Sequence, residues 1–317
     1  MKSKDFMEQL DLSNPFRAPI LYIPETRSTM EEAREYVSRC AAGQDETGVC
    51  DGTAIVTGFQ SRGRGRISSR SWESPPGQSI LATLVFNRGK TGGNYASDRP
   101  PSLESGKPES GKQETYNVET LLPVFSIILA LSVVRYLQGR YGLEAEIKWP
   151  NDVMVRGRKI SGILCEVSAH FVYAGIGINC LQRSFATKPG GSEELGGSEE
   201  LGGSEELGES VTSVRRETGW AVDPAAVDPV EEVPHLLYYI KAVLEQSARG
   251  GDPVGEAEKI LYRRGERVSL VEGLPEGGRV LEGRLEGLSE SGALLLRTRN
   301  GDVHSLVSGE FSFRPRQ

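Results

Sequence analysis

A run of short strands joined by very short loops places the strongest constraint on the fold. Stretches rich in β-branched residues alternate with turn residues at 145–148, 152–155, 159–167 and 171–178. Loops of this length join antiparallel neighbours, because a parallel crossover needs a dozen residues or more. The pattern predicts an antiparallel region, with a hairpin around Ser168–His170, inside an α+β fold.

Helices and further strands are predicted around this region. Ser28 or Thr29 can cap a helix that runs to about Arg39, with a glutamate three residues on. The apolar stretch 118–138 predicts a long helix, and Pro123 is tolerated in its first turns. Strands are also predicted at 53–57 and 79–86, and amphipathic helices at 230–246 and 254–264.

The last 50 residues or so change character, which predicts a second domain. Short strands between 267 and 314 are punctuated by Gly, Asn and Asp, as in a small SH3-like barrel. We therefore divide the chain into a catalytic domain, 1–264, and a C-terminal domain, 265–317. Two segments poor in aliphatic side chains, about 87–117 and 182–218, are predicted to be solvated inserts, and the second contains GGSEEL three times in tandem.

Charge and composition exclude several classes of protein. The formal net charge is −7, but 190–210 holds seven Glu and no Lys or Arg, and the remainder is neutral. A neutral surface lacks the basic footprint of a nucleic-acid-binding protein. Four cysteines and three histidines show no zinc-site spacing. Since neither a signal peptide nor an uninterrupted membrane-length apolar run is visible, we expect a cytoplasmic protein that contacts no membrane.

The segment Gln60–Arg66 (QSRGRGR) directly follows a predicted strand. Glycine lets backbone N–H groups approach an anion closely, and guanidinium groups match the geometry of oxyanions. Because ends of strands carry binding sites, the segment predicts a loop that closes over an anionic ligand. A solvated basic loop is the alternative.

Two more basic groups lie in the strand region. Lys148–Asp152 (KWPND) places an amide and a carboxylate at a turn, and Asp152 is a candidate ligand for Mg²⁺ carried by a nucleotide. Lys159 begins an apolar strand, where a lysine is costly unless it faces a cleft or solvent. Pointed inward, Lys159 could neutralise a carboxylate and stabilise charge on an acyl phosphate. The alternative for KWPND is a simple turn beside a solvent-facing Lys148. The alternative for Lys159 is a lysine that protects an exposed sheet edge.

Gly175 and Gly177 share one face of a strand that ends at Asn179. Two glycines on one face leave a slot that a ligand can enter, although a bulge against a helix is the alternative. The sequence contains no nucleophile elbow, P-loop or HExxH motif. The chemistry therefore has to come from positioning and charge stabilisation, as in acyl-phosphate formation from ATP.

These motifs, in this order and spacing, resemble those of the biotin protein ligases. The resemblance covers about 20–180 and 220–317. In the first part it rests on five segments: RST at 27–29, QSRGRGR with Trp72, KWPND, RKISGILCE at 158–166 and GIGIN at 175–179. In the second part it rests on GALLL at 292–296 with Gly309-Glu310, which resemble the family's small C-terminal domain. Arg27 and Met30 depart from the family's usual Asp and Asn, and the extra residue between Gly65 and Trp72 leaves Arg70 without an assigned role. The resemblance implies a class II aminoacyl-tRNA synthetase-like sheet of mixed or antiparallel strands, plus the SH3-like domain. Only about 25 residues precede Ser28, so we expect the monofunctional form without an N-terminal DNA-binding domain.

The resemblance also implies an activity and its residues. Biotin and ATP, with Mg²⁺, would form biotinyl-5′-AMP, and biotin would pass to a lysine of a biotin carboxyl carrier protein. No tightly bound prosthetic group is expected, and a homodimer is left open. The implied catalytic residues are Lys159, Arg64 and Arg66. The implied biotin-binding residues are Ser28, Thr29, Gln60, Gly63, Arg64, Lys159, Gly162 and Gly175. The implied ATP-binding residues are Arg66, Lys148, Asn151, Asp152, Asn179 and Trp220, with Asp152 also at the metal.

Two other functions compete with this interpretation. A lipoate or octanoate ligase of the same fold would carry an Arg-Arg-x-Ser-Gly-Gly-Gly type loop, which is absent here. A non-catalytic regulatory protein that binds biotin or a partner would not need Lys159, Arg64 and Arg66 together.

Overall fold

The computed structural model describes residues 7–42, 49, 51–66, 71–88, 116–185, 210–219, 227–273 and 278–312. The predicted insert at 87–117 and the GGSEEL repeat lie almost wholly outside these residues, as do Arg70 and Trp220. The helices are α1 (Thr29–Ala41), α2 (Val118–Leu121), α3 (Phe125–Tyr141), α4 (Val214–Glu217), α5 (Val233–Ala248) and α6 (Pro253–Lys259).

Fifteen strands lie within the described ranges. Those of the first part are β1 (Glu8–Gln9), β2 (Ile20–Thr26), β3 (Thr53–Gln60), β4 (Gly63–Arg64), β5 (Ser71–Trp72), β6 (Ser79–Asn87), β7 (Glu146–Lys148), β8 (Asp152–Val155), β9 (Arg158–Val167) and β10 (Phe171–Asn179). Those of the last part are β11 (Arg267–Glu272), β12 (Arg279–Leu288), β13 (Leu294–Arg297), β14 (Val303–Leu306) and β15 (Gly309–Ser312).

Eight strands form one mixed sheet in the order β1-β2-β3-β6-β10-β9-β8-β7. Only β2 and β3 run parallel, and every other neighbouring pair is antiparallel. The antiparallel region predicted from the short loops is therefore confirmed. β4 and β5 pair with each other outside this sheet and carry the Gly/Arg segment away from it.

Both faces of the large sheet are covered. Helix α3 packs on one face, against β7, β8 and β9, and α5 and α6 pack against α3. Helix α1 packs on the other face, against β3, β6 and β10. Successive strand residues point to opposite faces, so Ala54 and Val56 join the core under α3 whereas Ile55 joins the core under α1.

Two details of the helices differ from the prediction. The long apolar helix is split, because Leu122–Val124 form a 3₁₀ turn between α2 and α3. Pro123 explains the break, since its ring would clash with the carbonyl one α-helical turn earlier. At the start of α1, Ser28 has the backbone conformation of an N-cap, but its hydroxyl makes no capping hydrogen bond.

By length and composition alone, Val118–Tyr141 could cross a membrane. In this fold 67% of its most apolar window is buried inside the protein, and α3 lies between the large sheet and α5. Burial on both sides explains why the helix is apolar almost all round.

The C-terminal strands form a separate antiparallel sheet in the order β14-β13-β12-β11-β15. This sheet contacts the larger part of the molecule directly. The indole N–H of Trp149 donates a 3.0 Å hydrogen bond to the carbonyl of Gly292, ahead of β13. Helix α6 also contacts β12. The end of the second sheet is thereby held beside KWPND.

Candidate active site

One pocket collects most of the residues singled out from the sequence. It opens between the start of α1, the Gly/Arg segment, strands β8 to β10, and the beginning of β15. Its lining includes the predicted site residues Ser28, Thr29, Gln60, Arg64, Arg66, Lys148, Asn151, Asp152, Lys159, Gly162 and Gly175. Gly65, Trp72, Gly177, Glu310 and Phe311 line it as well.

At the inner end of the pocket, a chain of hydrogen bonds fixes the amide of Gln60. The backbone N–H of Thr29 donates to Gln60 Oε1 at 2.8 Å, and the Thr29 hydroxyl donates to the same oxygen at 3.1 Å. The hydroxyl of Thr83, fully buried on β6, donates to Thr29 Oγ1 at 2.8 Å. Within the Gln60 amide only the oxygen can accept a hydrogen bond, so this oxygen is committed to Thr29 and the NH₂ group remains as a donor for a ligand.

The glycine slot exists, but an aromatic ring occupies it. A Cβ at Gly177 would lie 2.6 Å from the indole of Trp72, and a Cβ at Gly162 would lie 3.0 Å from it. The open volume of the pocket is about 160 Å³, below the roughly 300–1,000 Å³ of typical ligand sites. Trp72 therefore has to move before a ligand can lie against these glycines.

Lys159 reaches the pocket because its strand contains a β-bulge. Strand β8 pairs with Ser161 and with Lys159 and leaves Ile160 as an extra residue on β9. In a regular strand, Lys159 and Gly162 would face opposite sides of the sheet, since they are three residues apart. The bulge turns Lys159 to the side of Gly162, which is a common use of bulges beside functional sites.

The charged end of the pocket is formed by Lys159 and Asp152. Lys159 Nζ lies 2.7 Å from Asp152 Oδ1 and 5.7 Å from the ring centre of Trp72. Both side chains are partly exposed, at 34% and 18%. Lys159 therefore already has a carboxylate partner, and an entering ligand carboxylate would compete with Asp152 for it.

Two arginines of the Gly/Arg segment have different partners. Arg64 lies 3.8 Å from Glu166 on β9, a carboxylate that also pairs with Arg34 of α1. Arg66 donates a 2.8 Å hydrogen bond to the carbonyl of Gly309 at the start of β15. The segment is thus tied both to the large sheet and to the C-terminal sheet.

The predicted nucleotide side is only partly assembled. Lys148 Nζ lies 5.8 Å above the ring centre of Phe311, and Asn151 Nδ2 donates to the carbonyl of Ile163 at 2.7 Å. Asn179 lies outside the pocket lining. It is 3% exposed, and its amide donates to the carbonyl of Thr212 at 3.1 Å.

Asn179 therefore differs from the other predicted ATP-binding residues that the structure describes, because those line the pocket. Its amide oxygen accepts from buried Gln182 and Ser79, so the side chain is satisfied inside the protein. Gly63 is also outside the lining, yet a Cβ there would lie 2.3 Å from the carbonyl oxygen of Trp72. Glycine at 63 lets β4 approach β5 and so places Arg64.

Within the described ranges, no cysteine lines this pocket. Burial raises the pKa of the Cys165 and Cys180 thiols to about 12, so both stay protonated. Among the described residues, no group of three His, Cys, Asp or Glu side chains could hold a metal ion. The donor set still suits Mg²⁺ that arrives with a nucleotide, because such an ion needs only one or two carboxylates besides phosphate oxygens, and Asp152 lines the pocket.

Comparison with known proteins decides the family. The model of the biotin/lipoate A/B protein ligase family matches residues 109–181, and that of the biotin protein ligase C terminal domain matches residues 265–314. The bifunctional ligase/repressor BirA of Bacillus spizizenii is 27% identical over 291 residues, which cover 89% of this chain and 70% of that protein. The chain belongs to the biotin protein ligase family.

Further relatives of this biotin protein ligase support the same family assignment. The biotin–[acetyl-CoA-carboxylase] ligase of Paracoccus denitrificans is 33% identical over 161 residues, covering 48% of this chain and 56% of that protein. The Aquifex aeolicus biotin protein ligase, solved in complex with biotin and ATP, superposes with a TM-score of 0.63 and 28% identity, covering 94% of this chain and 98% of that one. The predicted family, ligase class and α+β fold are confirmed, whereas the roles of single residues stay predictions.

The structure adds residues that the sequence did not single out. Thr83 orients Gln60 through Thr29, Glu166 holds Arg64, and Phe311 lies under Lys148. Each lies far along the chain from its partner, and no local pattern marks Thr83 or Phe311. Only Glu166 had a visible signal, as the last residue of the RKISGILCE segment.

Proposed function

We propose that this protein joins biotin to ATP as biotinyl-5′-AMP and then transfers biotin to a lysine of a biotin carboxyl carrier protein or domain. In the first step a carboxylate oxygen of biotin attacks the α-phosphorus, and the bond to the bridging oxygen breaks and releases pyrophosphate. In the second step the acceptor amine attacks the acyl carbon, AMP leaves and the nitrogen loses a proton. The observation that carries the proposal is one slot with the Gln60 amide at its inner end and Lys159 at its outer end.

The inner end suits a ligand carbonyl. Because Thr29 occupies the Gln60 oxygen, the exposed NH₂ group can only donate. A cyclic urea presents a carbonyl oxygen that accepts such a hydrogen bond. Ser28 and Thr29 complete this end, and once Trp72 has moved aside Gly162 leaves room for an apolar chain along the slot, which Gly175 also lines.

The outer end suits a carboxylate that becomes an acyl phosphate. Lys159 supplies a fixed positive charge where negative charge develops, in a partly desolvated pocket that strengthens the interaction. Arg64 and Arg66 lie on the segment above it and offer guanidinium forks for phosphate oxygens. We assign Lys148, Asn151 and Asp152 to the nucleotide side, and keep Asn179 and Trp220 there only as predictions.

Mg²⁺ bound with ATP would neutralise phosphate charge, and Asp152 is the carboxylate that would hold it. Lys159 pairs with Asp152 at 2.7 Å, so the biotin carboxylate would compete with Asp152 for the ammonium group of Lys159.

The wider assignments belong to the same proposal. The large sheet with its helices, 1–264, would be a class II aminoacyl-tRNA synthetase-like catalytic domain. The five-stranded sheet within 265–317 would be the SH3-like domain, which reaches the pocket through Glu310 and Phe311. We place the protein in the cytoplasm, with a carboxylase subunit as its acceptor.

The direct test is pyrophosphate release with ATP and Mg²⁺ when biotin, lipoate or octanoate is the acid. Release with biotin alone is expected, and release with lipoate or octanoate instead would overturn the substrate. Mass spectrometry of a biotin carboxyl carrier domain should then show one added biotin. Absence of release with all three acids would reject the enzyme in favour of a binding protein.

A further inference from the structure

The segment that follows the GGSEEL repeat lies directly against Lys159. The backbone N–H of Thr212 donates to the carbonyl of Lys159 at 2.9 Å, and Val211 forms an isolated bridge with Lys159. Strand β10 pairs with β9 only from Ser161 onward, because it ends at Asn179. Val211 and Thr212 therefore continue the sheet beside Lys159, at the point where β10 has stopped.

This short continuation is anchored by a buried carboxylate. Glu217, at the end of α4, has a side chain with no exposed surface. Arg158, the residue before Lys159, donates to Glu217 Oε1 at 2.7 Å, and the Thr212 hydroxyl donates to the same oxygen. Arg156, at the tip of the β8–β9 turn, lies 3.4 Å from Glu217 Oε2.

Glu217 thus binds both neighbours of the Lys159 backbone. It holds Arg158 on the preceding side and Thr212 on the adjoining strand segment. The bulge at Ile160, the residue directly after Lys159, turns Lys159 into the pocket. A bulge leaves its extra residue unpaired, so its geometry depends on the contacts that surround it.

We propose that Glu217 is a positioning residue for Lys159, which it holds in the orientation that meets the carboxylate of biotin. This inference rests on the proposed function of Lys159. Glu217 does not line the pocket and touches no reacting atom. It acts through Arg158 and Thr212, and its loss should affect one end of the biotin site and leave the Gln60 end unchanged.

The chain contains a closely matched control. Glu232 is also buried, and it accepts 2.6 and 3.1 Å hydrogen bonds from Arg140 and a 3.0 Å hydrogen bond from the Tyr136 hydroxyl. The two arginines are similarly exposed, Arg158 at 32% and Arg140 at 37%. None of the three control residues lines the pocket.

The experiment compares biotin with biotin methyl ester, which keeps the urea ring but lacks the charge, by calorimetric titration of the full-length protein without ATP. The wild type should bind biotin more tightly than the ester. Glu217→Gln should weaken the affinity for biotin by roughly tenfold, which corresponds to about 1.4 kcal/mol, and should leave the affinity for the ester unchanged. Glu232→Gln should change neither affinity.

Each other outcome counts against a specific claim. An unchanged ratio of the two affinities in Glu217→Gln would overturn the positioning role, and so would equal weakening of both ligands, which indicates a distorted pocket. If the wild type binds biotin and its ester equally, the role of Lys159 fails and the inference fails with it. If Glu217→Gln does not fold, Arg158→Gln removes the same pair from its more exposed side and has the same expected ratios.

Discussion

Gln60 and Lys159 line the pocket from strands of the large sheet and Thr29 lines it from helix α1, which packs on that sheet. Arg64, Arg66 and Trp72 line it from a segment that leaves the sheet. The first group, here called the inner wall, is fixed by hydrogen bonds and by a bulge within the fold. The second group, the cover, is held by an ion pair, one backbone carbonyl and ring packing. A wall of the first kind defines which ligand fits. A cover of the second kind can exchange its partners for a ligand at little cost, because exposed ion pairs contribute little.

Replacement of Lys159 by Ala tests the inner wall most severely. We expect the turnover number for biotin-dependent pyrophosphate release to fall by roughly 10²–10³-fold, because a preorganised charge at the developing acyl phosphate is lost. Stopped-flow or steady-state assays of pyrophosphate release measure this turnover number directly. Lys241→Ala is the matched control, since Lys241 is also partly exposed, pairs with Glu245 and does not line the pocket. Unchanged turnover in Lys159→Ala would remove Lys159 from the chemistry.

Replacement of Gln60 by Glu tests the other end of the inner wall. Glutamate keeps an oxygen for the Thr29 N–H but turns the ligand-facing donor into an acceptor. Loss of the hydrogen bond leaves the ligand carbonyl unsatisfied, so kcat/KM for biotin should fall by roughly 10- to 100-fold. For the biotin analogue in which C=NH replaces the urea carbonyl, kcat/KM should fall by a smaller factor. Equal losses for both ligands would mean that Gln60 does not distinguish donor from acceptor.

Much of this inner wall could be predicted, and the reason is local. Gln60 lies at the end of a β-branched strand, and Ser28-Thr29 lies at a helix start, so both the element and the residue type were visible in the sequence. The orientation of Lys159 could not be predicted. It depends on a bulge and on residues 211–217, which lie about 50 positions away in the sequence. Asn179 is a different case, because its strand-end position suggested a ligand contact whereas buried Gln182 and Thr212 use its amide in this fold, and its place on the nucleotide side stays a prediction.

The cover is tested first through Trp72. Its ring fills the slot over Gly162 and Gly177, so biotin should displace it and change its fluorescence. In Trp72→Phe most of the biotin-induced fluorescence change should disappear. In Trp220→Phe, titrated with biotin alone, the change should persist. A signal that survives undiminished in Trp72→Phe would show that it comes from another tryptophan, such as Trp149 of the pocket lining, and would contradict displacement of Trp72 as its source.

The smallest effect is expected at the ion pair that holds Arg64. Glu166 is 25% exposed and Arg64 is 48% exposed, so water and salt screen their attraction. Exposed pairs contribute about 0–1 kcal/mol, and we therefore expect Glu166→Gln to change kcat/KM for biotin by less than about fivefold. Whatever change appears should shrink further as the salt concentration rises, which a series of assays at increasing ionic strength would measure. A tenfold or larger loss that persists in high salt would contradict the comparison, because Glu166 would then fix the cover as firmly as Thr29 fixes Gln60.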